Sequence, residues 1–235
     1  MQTQIDHLVI VAQTLEQGVQ WCEQTFGITP GPGGEHTLYG THNRLFKVAS
    51  PTFPMAYVEI IAINPNAVRP KRASPTRWFD MDTPTLQKAV AKEPRLVHFV
   101  VNTSDIRAAR MAIRMQGIDR GPAIHASRRT NRGTLNWQIS VRADGQRLFD
   151  GCMPTLIQWG KLEAIDPLKL HPRNTLTRSG VTLQSIEVNH PSAAKLQGAY
   201  DAIALSPVTV TEGSANLKAT FQTPKGVVVL ESLGL

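Results

Sequence analysis

Three stretches of the chain follow one grammar, and this repetition constrains the fold more than any other feature. QIDHLVIVAQTLEQGVQWCEQTFGI begins at residue 4, PRLVHFVVNTSDIRAARMAIRMQGI at residue 94 and TLQSIEVNHPSAAKLQGAYDAIAL at residue 182. Each opens on a short β-rich run, turns, and continues into a segment with helical apolar spacing. When His7, His98 and Ser185 are aligned, Thr14, Asp105 and Ser192 fall seven residues later. All three are side chains whose oxygen can accept from the free N–H groups of a first helical turn. Leu15, Val19, Cys22 and Phe26 form one expected stripe, Ile106, Ala109, Ile113 and Met115 a second, and Leu196, Ala199, Tyr200 and Ile203 a third. Gly27 and Gly117 supply left-handed C-terminal stops for the first two helices.

Short strands follow each helix. They are EHTLYGTHNRLFKV and AYVEIIAIN in the first unit, and GPAIHASRR, LNWQISVR and TLIQWGKL in the second. In the third they are VTVTEG, ANLKATFQT and GVVVLESLG. The expected class is therefore α+β: repeated βαβββ modules forming a cupped mixed sheet with helices on the outside. The boundaries read as residues 1–64 for the first module, 65–93 for a linker or excursion rich in Pro, Arg and Thr, and 94–161 for the second module. Residues 162–179 read as a connection and 180–235 as a partial third module.

Composition narrows the function classes. Apolar runs such as Leu8–Ala12 are far shorter than the ~20 residues that span a bilayer. The N-terminal stretch lacks the basic region and cleavage pattern of a secretory signal, so the expected location is cytoplasmic and without membrane contact. Cys22 and Cys152 then read as reduced thiols. The net charge of +7, with clusters at Arg69, Lys71, Arg72 and Arg77 and at Arg128, Arg129 and Arg132, favours an acidic small molecule as partner. Nucleic acid is disfavoured, because no recognition motif is present and the 6% of aromatic residues do not interleave with the basic ones.

Four polar positions stand out. His7 alternates with Ile5 and Val9 on the opening strand, and His98 occupies the matching place in LVHFVV. Glu59 sits in the closing strand YVEIIAI, with Gln158 at the matching place in LIQWG. A carboxylate in an apolar strand is costly unless paired, protonated or metal-bound. Two imidazoles, a carboxylate and an amide oxygen suit Zn²⁺, Ni²⁺, Co²⁺, Fe²⁺ or Mn²⁺. The same residues also fit inert roles: a hydrogen-bonded core histidine, a carboxylate paired with an arginine, an amide lining a pocket. The third module has Ser185 at the histidine position and Val228 or Val229 at the glutamate position. It thus reads as a structural cap or a dimerisation element, the latter implying a homodimer.

The ordered segments IDHLVIVA, YVEIIAI, RLVHFVV and PTLIQWG resemble the vicinal-oxygen-chelate superfamily of glyoxalases, extradiol dioxygenases and bleomycin-resistance proteins, and within it the glyoxalase-like domain proteins. GGEHTLYGTHNRLFKV, with Gly34, His36, Gly40, Thr41 and Asn43, resembles that group's first hairpin. RRTNRGTLNWQI, with Arg129, Gly133, Leu135 and Trp137, resembles its second. The resemblance implies a divalent metal held by His7, Glu59, His98 and Gln158, although the last ligand is usually a glutamate. It also implies substrate contacts from His36, Asn43, Arg129 and Trp137, and Glu59 as a base. The implied activity is a lyase, isomerase or dioxygenase acting on vicinal oxygens. The alternative it carries is a metal-free protein that sequesters a small ligand.

Overall fold

The computed structural model describes residues 3–68, 70, 76–160 and 165–235. Arg69, Lys71 and Arg72 of the first basic cluster, Lys161 at the end of the second module and Leu162 at the start of the connection lie outside them. The first module comprises β1 (Thr3–Val11), α1 (Leu15–Phe26), β2 (Gly31–His36), β3 (Thr41–Lys47) and β4 (Tyr57–Ile63). A short helix, α2 (Pro84–Val90), lies in the excursion. The second module comprises β5 (Arg95–Thr103), α3 (Ile106–Met115), β6 (Ala123–Thr130), β7 (Gly133–Ser140) and β8 (Thr155–Trp159). After α4 (Pro172–Thr175) come β9 (Thr182–Asn189), α5 (Ala193–Ala202), β10 (Val208–Thr211), β11 (Asn216–Thr223) and β12 (Gly226–Glu231). Among the described residues, no helix is long and apolar enough to cross a membrane.

The caps start two of the three long helices. The Thr14 hydroxyl accepts from Gln17 N at 3.1 Å, and the Asp105 carboxylate accepts from Ala108 N at 2.9 Å. Ser192 makes no side-chain cap bond, so the third cap departs from the expectation. The buried stripe of α1 runs through Gly18, Cys22 and Phe26 rather than Val19. Gly18 faces Ile60 so closely that a Cβ there would meet the Ile60 side chain, and the missing atom lets α1 settle on the sheet. On α3 the stripe is Ile106, Ala109 and Ile113; Met115 points to solvent.

The eight-stranded sheet has the order β2-β3-β4-β1-β5-β8-β7-β6. Within each of the first two modules the opening strand lies parallel to its own closing strand, and β1 joins β5 antiparallel at the centre. The result is a curled half-barrel of two related halves. Its outer face is covered by α1, α3 and the third module, through contacts such as Phe26 on Phe221 and Phe99 on Tyr200. The third module keeps the βαβββ element order but not the pairing. Its order is β10-β9-β11-β12, which places the closing strand β12 at an edge instead of beside β9. The expected equivalence of Ser185, Val228 and Val229 with the site positions of the other modules is therefore lost.

The excursion supplies core rather than only linking. Trp78, Phe79, Met81, Leu86 and Val90 pack with Val9, Val100, Trp137 and Trp159 on the inner face of the sheet. An ion pair between Asp80 and Arg147 at 2.9 Å ties the excursion to the second module.

Candidate functional site

A β-bulge at the centre of the sheet decides which side chains face inward. In the β1–β5 ladder Ile5 pairs with Val101 and His7 with Val100, so Asp6 is the extra residue. Ile5 and Leu8 both join the outer core, leaving the consecutive Asp6 and His7 between them on the inner side. This corrects the simple alternation of His7 with Ile5. The related bulge on β5 omits Val97 from the ladder, between outward Leu96 and Phe99, so that Val97 and His98 are the counterparts of Asp6 and His7.

Asp6 is fully buried and is the hub of a hydrogen-bond network that sequence reasoning missed. Its carboxylate accepts from His7 Nδ1 at 2.7 Å, Trp159 Nε1 at 2.8 Å and His171 Nε2 at 3.0 Å. Arg173 N in turn donates to His171 Nδ1 at 3.0 Å, which orients the ring. Burial works to raise the Asp6 carboxyl, but the charges and hydrogen bonds of His171 and His7 outweigh it and hold the group well below the usual carboxylate range. With Nδ1–H given to Asp6, His7 presents Nε2 to Glu59 Oε2, 3.6 Å away. Burial, reinforced by Asp6 and Glu59, raises the phenol of Tyr57 well above its ordinary range, and its ring stacks on His7 at 4.7 Å.

Glu59 lies on the inner face of β4, where Asn43 Nδ2 donates to Oε1. Asn43 is oriented by Gly34 N, which donates to its Oδ1 at 2.7 Å. His36 Nε2 lies 3.7 Å from Glu59 Oε1. Burial pulls the His36 imidazole down to about 4 against the opposing effect of Glu59, with Arg128, His7 and His42 adding to the fall. His36 is therefore neutral at pH ~7. His7, His36, Asn43, Tyr57, Glu59 and Arg128 share a small inner chamber of about 40 Å³, enough for a water or a compact functional group. A cavity of about 580 Å³ between the two hairpins has Leu38, Tyr39, Ile124 and His125 in its walls. Trp78, Trp137, His36 and Ile139 line both spaces.

Other expected residues lie elsewhere. On the β6–β7 hairpin Arg129 is exposed, while its neighbour Arg128 lines the inner chamber. Gln158 is on the outer side of β8, where its Oε1 accepts from Ile106 N at 2.9 Å at the start of α3. The strand registers correct the expected match. Glu59 pairs with Val9, two residues after His7, and Thr155 pairs with Val100, two residues after His98. Thr155, not Gln158, occupies the place of Glu59.

His98 lines neither cavity. Its Nδ1 donates to Gly151 O at 2.8 Å, and its Nε2 accepts from Thr155 N at 3.2 Å with the Thr155 hydroxyl at 3.0 Å. Both ring nitrogens are thus occupied. Burial, with Arg120 nearby, drives its pKa well below the histidine range. The buried Arg120 guanidinium also donates to Thr155, while its Nε and Nη1 find no partner among the described residues. Among the described residues, no three His, Cys, Asp or Glu side chains are grouped so as to hold a metal ion. A divalent centre built from His7, Glu59, His98 and Gln158 does not fit this donor set: Gln158 faces away, His98 is saturated, and a cation stands beside it. Cys22 and Cys152 are buried, and burial pushes both thiols up to about 12, which keeps them protonated and unreactive.

Two βαβββ halves joined across their opening strands, with polar groups on the inner face of a curled sheet, define a vicinal-oxygen-chelate fold. The chain belongs to the glyoxalase-like domain family of that superfamily, whose sequence profile matches residues 5–204. No curated protein matches it significantly. Among solved structures, a hypothetical protein from Staphylococcus aureus is similar over 98% of this chain and 85% of its own, with 15% identity and a TM-score of 0.58. A methylmalonyl-CoA epimerase in complex with methylmalonyl-CoA covers 67% of this chain and 95% of its own, with 16% identity and a TM-score of 0.40. The Mycobacterium tuberculosis methylmalonyl-CoA epimerase covers 66% and 85%, with 16% identity and a TM-score of 0.35. At such identities the first likeness speaks for the fold alone, and the two looser ones carry no argument about chemistry.

Proposed function

We propose that this protein is a small-molecule enzyme of the isomerase or lyase type that moves a proton at a carbon next to a carbonyl, with Glu59 as the acid–base group. The observation that carries this reading is the placement of the buried Glu59 on the wall of the small inner chamber. One oxygen is held by Asn43, and the other faces His7 Nε2 at 3.6 Å. Glu59 would take the proton as the C–H bond breaks, and the electron pair would move onto the carbonyl oxygen. Arg128 lies on the same chamber wall and would stabilise that developing charge. Return of the proton to the same carbon or its neighbour completes an isomerisation; expulsion of a leaving group from the next carbon completes an elimination. His7, oriented by Asp6, can relay the proton through Nε2, as a histidine does when a carboxylate fixes its tautomer.

A metal-dependent scheme, including ring-cleaving oxygenation, would need a donor set that these side chains do not assemble. A purely sequestering role would use the aromatic cavity and leave Glu59 idle. The test is deuterium incorporation from D₂O into a panel of 2-oxo acids and 2-hydroxyketones, followed by NMR with and without chelator. The wild type should accelerate exchange of at least one member equally under both conditions, and Glu59→Gln should slow it about 10²–10⁴-fold. Exchange that survives Glu59→Gln, or that disappears on chelation, would refute the proposal.

A further inference from the structure

The inner chamber is lined by an arginine that no carboxylate pairs among the described residues. Among the described residues, Arg128 makes no ion pair and no side-chain hydrogen bond, although it is only half-exposed on the wall that also carries Glu59, His36 and Tyr57. The local backbone makes room for it. The β2–β3 ladder slips between Pro32 and Glu35, and the bulge contains Gly33 and Gly34. A Cβ on Gly34 would collide with the Arg128 guanidinium, and one on Gly33 would collide with Asn43. The glycines of the first hairpin thus let an arginine from the second lie across the chamber while Asn43 reaches Glu59. A planar guanidinium with unused donors at the edge of a confined site matches a carboxylate in a two-point hydrogen bond.

The two spaces differ in scale and character. The inner chamber of about 40 Å³ accepts only a compact polar group, whereas the outer cavity of about 580 Å³ has the size of a small-ligand site. Tyr39 and Trp78 stack at 4.1 Å and 11°, which gives the outer cavity a flat aromatic wall. Trp78 lines both spaces and so joins the aromatic wall to the inner chamber. Resting on the reading of this cavity as the substrate site, we propose that the substrate is an amphiphilic acid. Its carboxylate, borne on the carbonyl carbon beside the reacting carbon, binds Arg128, and its flat apolar body fills the outer cavity.

Tryptophan fluorescence, confirmed by calorimetry, can test this with phenylpyruvate, pyruvate and 1-phenylpropan-2-one. These carry both features, the acid alone and the body alone. Phenylpyruvate should bind at least about ten-fold more tightly than either of the others, as expected for a charge-assisted pair. Arg128→Met should weaken phenylpyruvate by about ten- to a hundred-fold while leaving the ketone unchanged. Trp137→Ala should weaken the two phenyl compounds together and pyruvate little. No saturable binding, equal binding of acid and ketone by the wild type, or an unaltered acid preference in Arg128→Met would overturn the assignment. Glu59→Gln separates the two proposals. Normal phenylpyruvate binding with lost proton exchange supports both. Normal exchange alongside the expected binding pattern removes the proton-transfer role and leaves the ligand class standing.

Discussion

On one side of the central strand pair, the residue two positions beyond the bulge histidine faces Glu59; on the other side its counterpart faces Thr155. The backbone device is the same in both halves, but the side chains put it to different uses. In the first half Asp6 occupies the bulge, anchors His7 by Nδ1 and leaves Nε2 directed at a carboxylate in a cavity. In the second half Val97 takes the bulge position, and His98 spends both nitrogens on Gly151 and Thr155. Phe79 from the excursion packs near the His98 ring at 5.4 Å and helps cover it. A duplicated scaffold has thus kept one half as an open polar site and made the other a sealed polar brace. A buried histidine is stable when neutral and fully bonded, whereas a reactive one needs a free lone pair and a route to the cavity.

The largest expected contrast is chemical. Glu59→Gln should cost about 10²–10⁴-fold in turnover, whereas Thr155→Val should leave turnover within a few-fold once corrected for folded fraction. Comparable losses from the two variants would erase the division between the halves. Next comes Asp6→Ala, which leaves the buried donors of His7, Trp159 and His171 without their acceptor. It should lower unfolding free energy by about 3–5 kcal/mol in urea titration, and a loss below ~1 kcal/mol would contradict the hub role. His98→Ala should cost about 2–4 kcal/mol through the cavity and the unpaired Gly151 carbonyl, while the surviving folded protein keeps its proton-exchange rate.

The pH dependence sharpens the same contrast. His36, lowered to about 4, and His98, lowered well below its ordinary value, bind protons more weakly when folded than in an unfolded chain, where histidine titrates near ~6.5. Their contribution is therefore fully present above ~6.5 and lost as pH falls toward the folded values. Asp6 is also depressed, but its contribution is full above the unfolded carboxyl value near ~3.9 and declines only below it. A Tm profile should accordingly decline from pH ~6.5 to ~4, and His98→Gln should flatten part of that slope. The smallest effect is expected from Gln158→Ala. It removes a side-chain acceptor at the start of α3 and should cost ~1 kcal/mol without changing ligand binding. Altered ligand affinity in that variant would bring Gln158 back to the site.

Much of the scaffold was legible because it rests on local rules. Thr14 and Asp105 cap helices where their side chains and the following apolar stripes predict, and the recurrence of His7 and His98 follows from a repeat visible in the chain itself. Glu59 was legible as a carboxylate too costly to leave without partners in an apolar strand. Other features were hidden by short offsets. Arg128 instead of Arg129 and Gly18 instead of Val19 lie one residue from the expected position, and Thr155 lies three from Gln158. In a strand such a step changes the face, because side chains alternate with a period of two and a bulge resets the count.

The sequence by itself determined the repeated module, the positions of its main helices, the polar pair His7 and Glu59, and the kinship with glyoxalase-like domains. Tertiary structure alone decided which histidine keeps a free nitrogen, which arginine enters the chamber and how the third module pairs its strands. It also brought His171 to Asp6 across 165 residues of chain and laid the Trp78 excursion over the inner face of the sheet. The reason is physical: capping and periodicity act between residues a few positions apart, whereas chamber walls and saturated hydrogen bonds form only where distant segments meet.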